Sequence, residues 1–134
     1  MADRESLARR AVVCAGWQWM PGMMVEGYRV LSVEGNQVTT SELCMRRCGN
    51  EIETVHNQGT WGGMWLWWPD FSDPATIGCL LALVREQWEI PTLAPVCKEG
   101  VWMLWAGGLP DALYRLRAAT EVELLVAALE VSDG

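Results

Sequence analysis

A chain of 134 residues has room for one domain of ordinary size. Apolar residues make up 51% of it and charged residues 20%, which is typical of a folding sequence and excludes a disordered one. The 17 acidic residues outnumber the 10 basic ones, giving a net charge of -7. The clustered lysines and arginines with which proteins bind duplex nucleic acid are therefore missing.

The longest apolar runs, at residues 77–84 and 101–108, are well short of the roughly 20 residues that span a bilayer. Residues 1–6 carry both signs of charge and lack the apolar core of a signal peptide. We therefore expect a cytoplasmic protein. Its five cysteines are then expected to be reduced thiols.

The first half of the chain combines one helix with strand and turn signals. A helix is predicted over residues 3–17, with Asp3 as its N-cap and apolar residues recurring at steps of three and four. The stretch 41–57 is polar and gives no clear signal. Strands are predicted at about 23–25, 28–33, 38–40 and 64–68, with a hairpin turn at 34–36.

The second half opens on the strongest local signal, Asp73 followed by Pro74. An N-cap acceptor and a proline at the first helical position predict a helix from there to about Trp88. Its buried face is expected to hold Ile77, Leu80, Leu81, Val84 and Trp88. Further strands are predicted at about 93–97, 101–106 and 112–117, and a last helix follows a capping box of Thr120 and Glu123.

The order of these elements predicts an α+β fold in a single domain over residues 1–134. An N-terminal helix and antiparallel strands occupy residues 1–70, and a helix–three strands–helix unit occupies residues 71–134. This α-β-β-β-α order matches the double-stranded-RNA-binding fold in shape, but an excess of acidic residues excludes its activity. We expect all strands to join one continuous sheet, with Tyr114 and Leu116 of the last strand facing the core.

Nine tryptophans are the outlier of the composition, and four of them lie close together: Trp61, Trp65, Trp67 and Trp68. In a strand, Trp65 and Trp67 share one face and Trp68 lies on the other, so both faces need cover. Residues 102–105 likewise place large apolar side chains on both faces of a predicted strand. Two interpretations stay open: these side chains are all core, or one set forms a stacking platform or an interface.

Arg46 and Arg47 are the one basic pair outside the N-terminal helix. Beside the indoles at 61–68, this pair could hold the phosphates of a small nucleotide while an indole stacks on its base. The alternative is an ordinary solvated surface. The candidate ligand-binding residues are therefore Trp61, Trp65, Trp67, Trp68, Arg46 and Arg47.

Cys44, Cys48 and His56 are the one cluster with metal-ligand chemistry, since two thiolates and an imidazole could occupy three corners of a zinc tetrahedron. The spacing Cys-x3-Cys-x7-His is loose and no fourth ligand is evident, which favours two ordinary thiols and a surface histidine. A metal-stabilised or hydrolytic protein centred on these residues stays open as the weaker alternative.

Other catalytic signals are weak. The chain has no nucleophile elbow and no phosphate-binding glycine loop. Asp70 and Asp73 could pair as catalytic carboxylates, but a turn and a helix cap account for them better. We therefore predict that the protein is not an enzyme and uses no cofactor.

The segment 69–88 reads PDFSDPATIGCLLALVREQW and resembles a family of small phage- and prophage-encoded proteins. These proteins carry a similar Pro-Asp-x-x-Asp-Pro-Ala-Thr-x-Gly-Cys-Leu-Leu-Ala-Leu-Val-Arg-Glu segment. The opening at 7–10, the stretch 17–23 and the close at 120–130 are similar as well. The resemblance implies a shared fold and a viral origin, and it carries over no site residues.

On this resemblance we expect a phage accessory protein that antagonises a host defence system in the cytoplasm of the host cell. One hypothesis is that it sequesters a nucleotide-type immune signal by tryptophan stacking, in a pocket that a second copy of the chain completes. The alternative is an acidic, anti-CRISPR-like inhibitor that binds a basic, nucleic-acid-handling host protein through exposed tryptophans. Neither hypothesis involves direct binding to nucleic acid or to a membrane.

Overall fold

The computed structural model describes residues 3–25, 28–34, 37–40, 44–48, 51–55 and 68–132. These residues form an α+β fold with antiparallel sheets, as the sequence predicts. In chain order, the elements are α1 (Arg4–Val12), β1 (Met24–Val25), β2 (Tyr28–Glu34), β3 (Gln37–Thr40), β4 (Cys44–Cys48), β5 (Glu51–Val55), α2 (Pro74–Trp88), β6 (Ala94–Lys98), β7 (Val101–Trp105), α3 (Asp111–Tyr114) and α4 (Glu121–Ser132).

The chain divides into two compact units, residues 18–79 and residues 1–17 with 80–134. The first unit holds a five-stranded antiparallel sheet in which β1 to β5 follow one another in sequence order. Strands β4 and β5 lie in the stretch that the sequence left unassigned. The pairing of β2 with β3 shifts between Val30 and Ser32, and Leu31, at that irregularity, is exposed.

The second unit packs helices against a two-stranded sheet, β6 and β7. Helix α4 lies against both strands and also against α1. Arg10 of α1 donates to both carboxylate oxygens of Glu130 in α4, at 2.6 and 3.1 Å. The indole N–H of Trp88 donates to the carbonyl of Ala128 at 3.0 Å. The core of this unit includes Leu7, Ala11, Leu113, Leu124, Leu125 and Leu129.

The predicted helix starts are confirmed, because each cap forms within one turn. Asp3 accepts from the N–H of Ser6 at 2.7 Å, and Asp73 accepts from the N–H of Thr76 at 3.0 Å. The hydroxyl of Thr120 accepts from the N–H of Glu123 at 3.2 Å. Only half of that capping box forms, since the buried Oε2 of Glu123 has no hydrogen-bond partner among the described residues.

Three details of the predicted architecture are wrong. Helix α1 ends at Val12, and the strands of the described residues form two sheets instead of one. The strand predicted at 112–117 is the short helix α3, followed by an isolated bridge between Trp102 and Ala118. Pro110 precedes this helix in an extended conformation, and its carbonyl accepts from the N–H groups of Leu113 and Tyr114. Leu113 is consequently buried and Tyr114 exposed, the reverse of the strand prediction.

Helix α2 ends on a residue in the left-handed region, Glu89, whose φ is 56°. The N–H of Ile90 donates to the backbone carbonyl of Arg85, and the N–H of Glu89 donates to the backbone carbonyl of Glu86. This pair of hydrogen bonds is a Schellman motif. Glycine adopts this conformation without the steric cost that a Cβ brings. Glu89→Gly is therefore expected to raise the free energy of unfolding by about 0.5–1 kcal/mol, measured by urea denaturation.

The matched control for this change is Glu86→Gly, inside the last turn of the same helix. That substitution is expected to lower the free energy of unfolding by about 1 kcal/mol, because glycine disfavours a helix interior. A loss of stability in both variants would contradict the assignment of Glu89 as a strained helix end.

Among the described residues, no helix is long and apolar enough to cross a membrane.

Candidate functional site

Three of the six predicted nucleotide-binding residues lie outside the described part of the chain. This holds for Trp61, Trp65 and Trp67. Arg46 and Arg47 are consecutive positions of β4, where their register partners in β5 are Glu53 and Ile52. Trp68 is half-buried. The set as a whole therefore stays a prediction.

The weaker alternative of a metal site at Cys44, Cys48 and His56 is only partly within the described residues. Cys44 and Cys48 are the first and last residues of β4, and His56 lies outside the described residues. A strand rises by about 3.3 Å per residue, so the two Cα atoms lie about 13 Å apart. The strand therefore separates the two cysteines along the backbone, which disfavours a shared metal ion. Because His56 lies outside the described residues, the metal site stays the weaker alternative.

Asp73 has a structural role in the unit of residues 18–79. Its carboxylate receives two hydrogen bonds from the guanidinium of Arg29, at 2.6 and 3.1 Å. It also accepts from the hydroxyl of Thr76 at 2.8 Å. Thr76 is fully buried, and its Oγ1 in turn accepts from the N–H of Met24 at 2.7 Å. This carboxylate therefore joins the start of α2 to strands β1 and β2.

The same contacts exclude Asp73 as a proton donor or acceptor near neutral pH. The hydrogen bonds from Arg29, followed by those from Thr76, lower the pKa of its carboxyl to about 2 against the opposing effect of burial. The nearby Asp70 has a separate role, because its Oδ1 accepts from the N–H and the hydroxyl of Ser72 in a local turn. The two carboxylates act as cap and turn, and general acid–base chemistry would need a free one.

The described tryptophans fall into three groups. Trp17 and Trp19 are buried, while Trp68, Trp88 and Trp102 are half-buried. Trp105 is 69% exposed. An indole with this much exposed surface is unusual in a folded protein and identifies the area around Trp105 as a candidate binding surface.

The hairpin of β6 and β7 has one covered and one open face. Its turn at Glu99 and Gly100 has positive φ angles of 54° and 79°, typical of a type I′ connection. The register pairs Val96 with Met103 and Lys98 with Val101. Residues directly opposite each other share a face, and successive residues alternate. Leu104 and Trp102 therefore lie on the covered face, where Leu104 is buried.

We name the open side the hairpin face. It comprises Val96, Val101, Met103 and Trp105. Val96 and Val101 are exposed together with Trp105, and Met103 is half-buried. The described residues thus leave a row of large apolar side chains on this face open.

Tyr114 and Arg117 lie beside the hairpin face. The bridge between Trp102 and Ala118 carries two backbone hydrogen bonds, of 2.9 and 3.1 Å, which place residue 117 next to Met103. The guanidinium of Arg117 lies 5.7 Å from the ring centroid of Tyr114, a cation–π distance. Its Nη1 also donates to the carbonyls of Tyr114 and Leu116. An exposed tyrosine and an oriented guanidinium therefore extend the hairpin face.

Sequence reasoning found part of this surface and missed the rest. It identified 102–105 as a strand with large apolar residues on both faces, which drew attention to Trp105. It missed Tyr114, because the expected strand placed that side chain in the core. The signal that was available is Pro110 directly before Asp111, because an acidic residue favours the first turn of a helix, although Pro110 is itself the N-cap and no side chain caps this helix.

No protein-family model, curated protein or solved structure matches this chain. The resemblance to phage-encoded proteins therefore stays a prediction, and no residue takes its role from a relative. What supports a function is the chain's own geometry, above all the open apolar row of the hairpin face.

Proposed function

We propose that this protein is a non-enzymatic binding protein that docks onto a partner protein through the hairpin face. The observation that carries the proposal is Trp105, which is 69% exposed in a row of apolar side chains. Tryptophan, tyrosine, methionine and arginine are enriched in protein interfaces, and Trp, Tyr and Arg dominate their binding energy. Trp105, Met103, Tyr114 and Arg117 bring these four residue types together.

The length of the apolar row on the hairpin face favours a protein as the partner over a small-molecule ligand. A planar ligand stacked on Trp105 would leave Val96 and Val101 exposed, since these residues lie further along the two strands. A partner protein can cover the whole row. Burying apolar surface contributes about 25 cal/mol per Å², and an aromatic side chain alone buries about 150–250 Å².

From the second of the two sequence hypotheses, an acidic inhibitor of a basic host protein, this proposal takes the docking onto a partner protein through an exposed tryptophan, and the basic character of that partner stays a separate prediction. Together with the resemblance to phage-encoded proteins, it describes a phage accessory protein that acts in the host cytoplasm against a host defence protein. Nucleotide capture by Trp61, Trp65, Trp67, Trp68, Arg46 and Arg47 stays a separate prediction. Native mass spectrometry with a mixture of nucleotide second messengers tests it, through an added mass that is lost in Trp65→Ala.

Removal of the exposed indole is the test of the hairpin face. Peptides of 12 residues are selected from a display library on the immobilised full chain, synthesised, and titrated by calorimetry. Trp105→Ser is expected to weaken their binding by about 30-fold or more, because truncating a central aromatic anchor costs about 2 kcal/mol or more.

The matched control is Val13→Ser, which also removes an exposed apolar side chain but lies at the end of α1. It is expected to leave the dissociation constants unchanged. Both variants should keep the melting temperature, because substitutions at exposed positions change stability little. Equal binding by Trp105→Ser and the unmodified chain would overturn the proposed function.

A further inference from the structure

Two basic residues lie on or beside the hairpin face of this acidic chain, and Glu99 of the turn is the acidic residue next to them in sequence. Lys98 lies on this face, where it pairs with Val101, and Arg117 lies next to Met103. The positions of β6 and β7 on this face, 94, 96, 98, 101, 103 and 105, include no aspartate or glutamate. The chain as a whole has a net charge of -7. We name Lys98 and Arg117 the basic rim.

The basic rim has no carboxylate partner among the described residues. Arg9, Arg10 and Arg29 are each bound to a carboxylate, at 2.6–2.7 Å. Lys98, by contrast, is exposed and makes no such contact there, and Arg117 contacts two backbone carbonyls and a tyrosine ring. A carboxylate can still approach the remaining N–H groups of that guanidinium, which has five in a rigid fork.

We infer that the partner presents a short segment in which acidic side chains flank large apolar ones. This inference rests on the proposed function. The apolar side chains of the segment would pack on Trp105 and Met103, and its carboxylates would reach Lys98 and Arg117. The Debye length at physiological salt is about 8 Å, so charges at contact distance outweigh the more distant acidic residues of the chain.

A partner segment can also bind by adding a strand to the edge of a sheet, but the open edge of β6 disfavours this mode. The backbone N–H and carbonyl of Trp102 form hydrogen bonds with Ala118 and therefore point away from β6. The backbone groups of Val101, Met103 and Trp105 consequently point toward β6. The residues of β6 with outward backbone groups are then Pro95 and Cys97. Proline has no N–H to donate, so this edge offers a single donor and is a poor template for a further strand.

A second copy of this chain is also disfavoured as the occupant. A two-fold dimer through the hairpin face would bring two apolar rows together, but it would offer neither basic rim an opposite charge on this face, whose strand positions hold no aspartate or glutamate. A segment with apolar and acidic side chains can pack on the apolar row and also pair with the basic rim.

Charge reversal at the rim tests this partner chemistry with the same peptide library. Peptides selected on the unmodified chain are expected to be rich in aspartate and glutamate next to aromatic or aliphatic residues. Lys98→Glu is expected to weaken their binding by about tenfold and to reduce its salt dependence. Lys98 suits this test because it is exposed and its side chain makes no hydrogen bond or ion pair with the described residues that the substitution would break.

The matched control is Arg4→Glu, which makes the same charge change at an exposed position of α1. It is expected to leave peptide binding within about twofold, because it lies away from the strands of the hairpin face. Neutral or basic peptides that still need Trp105 would overturn the partner chemistry and leave the proposed function intact. Peptides that bind independently of Trp105 would overturn both, and Trp105-dependent dimers in sedimentation velocity would make the occupant a second copy instead.

Discussion

Asp73→Ala is expected to lower the free energy of unfolding by about 2–4 kcal/mol, measured by urea denaturation. Loss of an N-cap costs about 1 kcal/mol, and the substitution also removes the acceptor of Arg29 and Thr76. Thr76 is fully buried, so its hydroxyl cannot turn to solvent for a replacement. A buried polar group left without a partner costs about 1–3 kcal/mol.

Asp70→Ala is the matched control, three residues away and with the same change of side chain. Among the described residues, the side chain of Asp70 bonds only to Ser72, and its backbone N–H, which donates to Met24, is kept in the variant, so the replacement is expected to cost less than about 1 kcal/mol. Equal losses in the two variants would show that Asp73 does not join α2 to β1 and β2.

The contacts of Asp73 also predict an acid-sensitive part of the stability. The pKa of this carboxyl falls from an ordinary 3.8 to about 2 in the folded protein. A lowered pKa means that the contribution is complete above pH ~4 and is lost as the pH falls toward 2. The contribution is about 2 kcal/mol, since each pKa unit corresponds to about 1.4 kcal/mol.

The variant Asp73→Asn isolates this contribution from that of the other carboxylates. The difference in free energy of unfolding between Asp73→Asn and the unmodified chain should be largest near neutral pH and shrink as the pH approaches 2. A difference that stays constant over this range would contradict the low pKa of Asp73.

Leu125→Ala is expected to lower the free energy of unfolding by about 2–5 kcal/mol. Leu125 is fully buried in α4, the helix that lies against α1, β6 and β7. Removing its branched end takes away apolar contacts and leaves a cavity that the surrounding elements fill only in part. Urea denaturation followed by circular dichroism measures the loss.

Leu31→Ala removes the same atoms from a side chain that is 56% exposed. Its cost is expected to stay below about 1 kcal/mol, because little apolar burial is lost. Similar losses in both variants would contradict the burial of Leu125 in a packed core.

The helix starts could be predicted from the sequence because the interactions that define them are local. The caps at Asp3, Asp73 and Thr120 bond to a backbone N–H three residues ahead, and no distant part of the chain is needed. The turn at Glu99 and Gly100 is local as well. Sequence alone therefore determined where these elements begin and turn.

The errors and omissions concern choices between alternatives that local patterns do not separate. The apolar residues of 112–117 fit the alternation of a strand, and Leu113 and Leu116 also fit the spacing of a helix. Packing on β7 favours the helix α3. Strands β4 and β5 gave no signal, because their charged and polar residues show no apolar period. Their pairing became evident only in the sheet.

The candidate site shows the same division between local and tertiary information. From the sequence, the strand at 101–106 has large apolar residues on both faces, and this strand is present as β7. Which face is covered depends on where α4 packs, and α4 begins sixteen residues after β7 ends, at Glu121. The amino-acid sequence by itself determined the caps, the turns and the class of fold, because their interactions close within a few residues. Only the tertiary structure decided that Trp105 faces solvent, because burial is set by elements distant in the chain.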